Sequence, residues 1–252
     1  MTLAHDLALA LDPALMMARC GLEPDPWQAD VMRSTAPRMM LLCTRQAGKS
    51  TVAAAMALHQ ALMHPGALVL LLSPSMRQSQ ELFRKVMSFV NAMGDVSIDN
   101  ESALRLELAG GSRIVSLPGT EETIRGYSGV AFLVIDEAAR VQDELYVAVR
   151  PMLAVSGGRM VALSTPFGRR GWYHREWTEG VGWERVRVTA EDCARISADF
   201  LTQERASLGD WWYRQEYSCE FVDADGAAFG HDLIRRALSN NVRPLFTEPR
   251  PW

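Results

Sequence analysis

The stretch MMLLCTRQAGKST, residues 39–51, decides the fold. Its first five residues are an unbroken apolar run, as expected of a strand buried on both faces. Small and polar residues follow, ending in Gly48-Lys49-Ser50, and VAAAMALHQALM then carries apolar residues at helical spacing. Strand, loop and helix in that order match a phosphate-binding loop, Gly-x4-Gly-Lys-Ser/Thr, except that Cys43 stands where the first glycine is expected. Such a loop works because successive backbone N–H groups point inward at the start of a helix whose dipole favours negative charge. Cys43 closes the strand, where a small side chain serves as long as the backbone avoids positive φ. Gly48 is the position at which a side chain would obstruct phosphate oxygens. The expected nucleotide-binding loop therefore comprises Cys43, Thr44, Arg45, Gln46, Ala47, Gly48, Lys49, Ser50 and Thr51. Lys49 is expected on the outer phosphates of ATP and Ser50 on Mg²⁺. Arg45 reaches the γ-phosphate, meets a neighbouring subunit, or lies in solvent.

The chain has 24 arginines and two lysines, Lys49 and Lys85. A compact ammonium and a planar guanidinium are not interchangeable where one point charge must sit between phosphate oxygens. A lysine at 49 in so arginine-biased a chain fits that role.

A second stretch, VAFLVIDEAAR (130–140), is another buried strand that ends in an acid pair. Asp136 suits a carboxylate that holds Mg²⁺, and Glu137 suits the base that orients and polarises an attacking water. A charge clamp and a water activator in one chain point to ATP hydrolysis.

Two more apolar runs, GALVLLLS (66–73) and GRMVALS (158–164), read as buried strands, and MRQSQELFRKVMSFVNAMG (76–94) reads as an amphipathic helix stopped by Gly94. Alternating strands and helices predict an α/β fold with a mainly parallel sheet and helices on both faces. In such sheets ligands sit beyond the carboxyl ends of the strands. LRLELAGGSRIVSL (104–117) alternates on either side of Ala-Gly-Gly, as in an antiparallel hairpin extending the sheet edge. WERVRVTA (183–190) reads as one more strand, and SADFLTQERASLGDWWYRQEYS (197–218) as two helices broken near Gly209. The expected organisation is a core over 1–189, a small helical subdomain over 190–222 and a linker over 223–252.

Three elements refine the site. Arg125, in TIRGYSG, enters the acid-bearing strand, where it serves either as an arginine finger crossing a subunit boundary or as a structural arginine beside Gly126. Ser164 and Thr165, in LSTPFG, end the strand after the acid pair, where a hydroxyl senses the γ-phosphate or simply completes a turn. Upstream of the loop, PDPWQADVM places Gln28 to read an adenine edge with Trp27 packed nearby, Trp27 itself fitting core packing better.

Composition bounds the rest. With 48% hydrophobic and 22% charged residues, the chain reads as an ordinary globular protein. No apolar run reaches membrane-spanning length, and the N-terminal stretch lacks the basic start of a signal peptide. The four cysteines form no C-x-x-C pair, which fits a reducing cytosolic location without zinc or disulfides. A net charge of −4 excludes a uniformly basic nucleic-acid binder, although residues 140–187 carry eight arginines against five acids.

Taken together, PWQADVM, CTRQAGKS, LLSPSMRQSQELFRKV, IRGYSGVAFLVIDEA, LSTPFGRRGWYHREW and WWYRQEYSCEF resemble the ATPase domain of the large terminase subunit, the motor that packages DNA into tailed-phage capsids. The family commonly carries Arg-Gln before its Gly-Lys, and Arg45 and Gln46 match it. The resemblance implies a recombinase-like phosphate-loop (ASCE) fold, with Lys49, Ser50, Asp136 and Glu137 as nucleotide and catalytic residues. It also implies Arg125 as the finger, Ser164-Thr165 as the coupling motif and 190–222 as a lid. Its implied partners are double-stranded DNA bound without sequence preference, a portal protein, a small terminase subunit and four further copies in a ring, in the cytoplasm of an infected or lysogenic bacterium. Full-length members carry a ribonuclease-H-type nuclease domain. Asp223 and Asp225 supply too few acids for it here, so the expectation is a truncated motor domain without DNA cleavage.

Two other readings carry less of the sequence. A helicase of two recombinase-like cores needs about 150 further residues after the first core. A nucleotide-gated assembly factor without turnover has no use for Glu137.

Overall fold

A computed structural model describes residues 3–119, 124, 126–223 and 237. Three short helices lead in: α1 (Leu3–Leu11), α2 (Leu15–Arg19) and α3 (Pro26–Arg33). The alternating core follows as β1 (Arg38–Cys43), α4 (Lys49–Met63), β2 (Leu68–Ser73) and α5 (Met76–Met93). An antiparallel excursion comprises β3 (Ile98–Ser102), β4 (Arg105–Leu108) and β5 (Arg113–Pro118). Then come β6 (Val130–Asp136), α6 (Asp143–Val149), β7 (Arg159–Ser164), α7 (Gly171–Thr178), β8 (Glu184–Val188) and α8 (Ala198–Glu216).

Among the described residues the eight strands join one sheet in the order β3-β4-β5-β2-β6-β7-β1-β8, and every pairing from β5 to β8 is parallel. The carboxyl ends of β1, β6 and β7 therefore share one edge, where the candidate residues leave the sheet. β7 lies between β1 and β6, so the strand ending in Ser164 separates the strand feeding the loop from the strand bearing the acids.

Strand side chains alternate between two cores, which explains the unbroken apolar runs. From β1, Met39, Leu41 and Cys43 join one core with α1 to α5, while Met40 and Leu42 join the other with α6 and α7. On the second face Tyr146 stacks on Trp172 at 4.1 Å, and the buried Tyr173 hydroxyl donates to the Leu41 carbonyl at 2.8 Å. α5 starts at Ser75, whose Oγ accepts from the Gln78 N–H, and stops at Gly94 with φ 72°.

α8 is two helices meeting at Gly209 (φ 79°, ψ 164°). Its inner residues Leu201 and Tyr213 form a small cluster of their own with Ala190. Among the described residues no helix is long and apolar enough to cross a membrane.

Candidate active site

The phosphate loop leaves β1 at Cys43, which is fully buried and paired in register with Val188 of β8. Cys43 is not among the residues with positive φ, so its side chain costs nothing in backbone strain. The left-handed turns fall at Gln46 (φ 62°) and Gly48 (φ 90°). Gly48 is favoured by its φ, which disfavours a side chain, and a Cβ there would lie 2.6 Å from Gln28 Nε2, so that the end of that side chain would have to shift. The obstruction foreseen from phosphate is thus met first by a protein side chain. α4 starts immediately at Lys49, which directs its N-terminal N–H groups and its dipole at the loop.

Four candidate residues converge. Ser50 Oγ donates to Asp136 Oδ2 at 3.0 Å, and Lys49 Nζ lies 3.1 Å from Glu137 Oε1. Asp136 is the last residue of β6, and Glu137 turns out of the strand with φ 49°, so adjacent carboxylates serve different partners. The Glu137 N–H donates to Asp136 Oδ1 at 2.9 Å. Burial, and then the neighbouring Glu137 charge, push the Asp136 carboxyl up to about 6, against the opposing pull of Lys49 and the Ser50 hydrogen bond. A hydroxyl and a carboxylate 3.0 Å apart, in a pocket that penalises uncompensated negative charge, fit a divalent cation such as Mg²⁺.

Arg140, to which sequence reasoning assigned no role, is the hub of the acid-bearing side of the site. Its Nη1 donates to Glu137 Oε2 at 2.9 Å and to Thr165 Oγ1 at 3.1 Å, and its guanidinium lies 4.7 Å from the centre of the Phe167 ring. The readable signal is its spacing: residues 138–140 form a 3₁₀ turn that folds position 140 back onto position 137. Among the described residues Ser164 Oγ is buried without a hydrogen-bond partner, while Thr165 of that pair engages the cluster.

Arg45 is met from within the chain. Its Nε donates to Glu216 Oε2 at 2.5 Å, and Thr44 Oγ1 donates to the Glu216 carbonyl at 2.8 Å, so the last turn of α8 grips the loop. Thr51 Oγ1 accepts from Lys85 Nζ of α5 at 3.4 Å. On the α3 side, Gln28 is buried and its Nε2 donates to the Ala47 carbonyl at 3.4 Å, while the ring of Trp27 packs against the core beneath α4. Arg125 and Asp225 lie outside the described residues.

A cleft of about 760 Å³ opens at the other end of the sheet beside Arg38, Arg150 and Met160, and holds none of these residues. A cavity of about 480 Å³ adjoins the acid cluster, lined by Arg45, Arg140, Phe167, Trp212 and Glu216 among others.

The family model described as "Terminase large subunit, T4likevirus-type, N-terminal" matches residues 40–236. The chain belongs to this family. The large terminase subunit of Thermus phage G20c is 27% identical, aligning over 85% of this chain and 52% of its own length. The chain thus spans about half the length of the curated relatives it matches. Among solved structures, the large terminase ATPase domain of Thermus phage P74-26 superposes with a TM-score of 0.69 at 22% identity, covering 82% of this chain and 97% of that one. The large terminase of the thermophilic bacteriophage D6E, solved in complex with ADP, gives 0.62 at 12% identity, covering 83% and 53%. The mixed, mostly parallel sheet thus matches the fold of terminase ATPase domains.

Proposed function

We propose that the chain hydrolyses ATP as the motor domain of a phage large terminase subunit and drives double-stranded DNA into a procapsid. One observation carries this reading: Lys49, Ser50, Asp136 and Glu137 stand within hydrogen-bond distance of one another at the strand edge where the phosphate loop begins α4. The family membership and the ADP bound by the D6E large terminase support it.

In this reading the loop N–H groups and Lys49 hold the β- and γ-phosphates. Ser50 and Asp136 would hold Mg²⁺, which would supply positive charge against the phosphates. Glu137, released when the incoming phosphates draw Lys49 away, orients a water for in-line attack and takes its proton as the bond to the ADP leaving oxygen breaks. Arg140 keeps the Glu137 carboxylate aimed and ties it to Thr165, so loss of the γ-phosphate is felt at the end of β7. Residues 1–189 form the ATPase core and 190–222 the lid, whose contacts with the loop include the pair Arg45–Glu216 and the hydrogen bond from Arg195 to the Ala47 carbonyl. Arg125 is the group offered to a neighbour in a ring of five on the portal, and the small subunit delivers DNA in the host cytoplasm. Duplex contact is through phosphates and is sequence-independent.

Phosphate release from ATP, measured with and without linear duplex DNA, tests the reading. Wild type should turn over, faster with DNA of any sequence at low salt, and Lys49→Ala should be inactive under both conditions. Equal release by wild type and Lys49→Ala would remove the proposal.

A further inference from the structure

On the α3 side of the loop, a cluster separate from the catalytic acids is built around Arg195, in the segment between β8 and α8. Its guanidinium makes a two-pronged ion pair with Asp25, Nη1 to Oδ1 at 3.0 Å and Nη2 to Oδ2 at 2.8 Å. The same Nη2 donates to the Ala47 carbonyl at 3.0 Å. One side chain thus joins the N-cap of α3, the phosphate loop and the chain leading into α8. This fork geometry is specific to arginine.

Asp25 in turn orients Gln28. The Asp25 N–H donates to Gln28 Oε1 at 2.9 Å, while Gln28 Nε2 donates to Ala47, the carbonyl that Arg195 also engages. A carboxamide has two N–H donors and an oxygen with two lone pairs. Anchoring uses one of each and leaves one donor and one acceptor in a set orientation. That pair matches the N7 acceptor and N6 donor of adenine, and mismatches guanine, which presents two acceptors, N7 and O6.

We propose that Arg195 is a positioning residue for base selection: by pinning Asp25 and Ala47 it fixes the Gln28 carboxamide in the orientation that accepts adenine and rejects guanine. The proposal rests on the ATP site described above. It assigns Arg195 no contact with phosphate and no part in bond cleavage.

Equilibrium binding of ADP and GDP, each with Mg²⁺, tests it on wild type, Arg195→Ala, Arg195→Lys, Asp25→Asn and the Arg195→Ala/Asp25→Asn double variant. Wild type should prefer ADP, and Arg195→Ala should weaken ADP by ~10-fold while changing GDP by less than about twofold, the loss of one oriented hydrogen-bonding pair. Asp25→Asn retains a capping side chain but not the ion pair, and should reproduce the shift. The double variant should be no worse than either single one, the signature of a shared interaction. Arg195→Lys should not restore the preference, because an ammonium has no fork. Arg195 is half exposed, with 51% of its side chain accessible, so the variants should fold, and thermal melts verify this. Equal weakening of both nucleotides, or an unchanged ADP-to-GDP ratio, would overturn the proposal by reducing Arg195 to a structural tie. Lys49→Ala separates the two levels: it should weaken both nucleotides, and if it weakens neither, the ATP-site reading fails and the base-selection proposal with it.

Discussion

Lys49 Nζ lies 3.1 Å from Glu137 Oε1, so the cation suited to phosphate and the carboxylate suited to water neutralise one another across the loop. Phosphate must win Lys49 away before Glu137 is free. Arg140, on the other carboxylate oxygen, then becomes the group that keeps Glu137 aimed. Arg140→Ala should lower kcat for ATP by ~10²-fold, the scale of a misplaced catalytic group, and leave KM within about threefold. Steady-state kinetics decide it, and a rise in KM at constant kcat would mean that Arg140 serves binding instead.

Asp136 carries a stability cost that depends on pH. Its folded-state pKa is raised from 3.8 to about 6, chiefly by burial. Below pH 3.8 the carboxyl is neutral in both folded and unfolded chains and costs nothing. As pH rises from there to about 6 the folded chain holds its proton longer, so folding stability falls, and the full cost persists above 6. Asp136→Asn should therefore melt higher than wild type at pH 8 without nucleotide, by roughly 2–4 °C for each kcal/mol relieved. The gain should vanish near pH 4, and hydrolysis should be lost. A variant that melts lower than wild type at pH 8 would contradict the assignment of burial as the dominant effect.

Restoring the missing glycine should harm the protein. Cys43 is fully buried at the end of β1 without positive φ, so Cys43→Gly removes packed atoms and adds chain entropy, with an expected loss of ~1–2 kcal/mol. Gln46, exposed at φ 62°, is the position where glycine fits, and Gln46→Gly should be neutral or stabilising by up to ~1 kcal/mol. Urea denaturation of both variants checks the order, and a more stable Cys43→Gly than Gln46→Gly would reverse this reading of the loop.

The Arg45–Glu216 pair is asymmetric: the Arg45 side chain is 62% exposed and that of Glu216 is 11% exposed. Removing Arg45 strands a buried carboxylate, whereas removing Glu216 releases a guanidinium into water. Arg45→Ala should accordingly cost more stability than Glu216→Ala, by ~1 kcal/mol or more. Both should speed amide exchange over the last turns of α8. Equal costs, or unchanged exchange, would show that this contact does not hold α8 to the loop.

The four core strands were legible because burial on both faces leaves unbroken apolar runs, as in MMLLC and VAFLVI, and each run ends abruptly at polar residues. The break at Gly209 and the stop at Gly94 were legible because each needs a backbone conformation that glycine takes most easily. β3 was not, since all five of its residues are exposed and no alternation marks it. The short helices α1, α2, α6 and α7 owe their place to contacts with the sheet or with α4 more than to length or capping. Within the site, the loop and acid pair are local motifs and could be read directly. Arg140, Glu216, Asp25 and Arg195 enter through contacts, those of the last three between segments up to 172 residues apart. Spacing carries no such information except within the 137–140 turn.

The central claim is that Glu137 activates the water that attacks ATP, and single-turnover hydrolysis by wild type and Glu137→Gln tests it most directly. Glutamine keeps the shape and loses the base. With ATP binding retained in both, Glu137→Gln should hydrolyse at least ~10²-fold more slowly, on the order of a lost general base. Equal single-turnover rates would contradict the claim and leave the site a nucleotide-binding one without this chemistry.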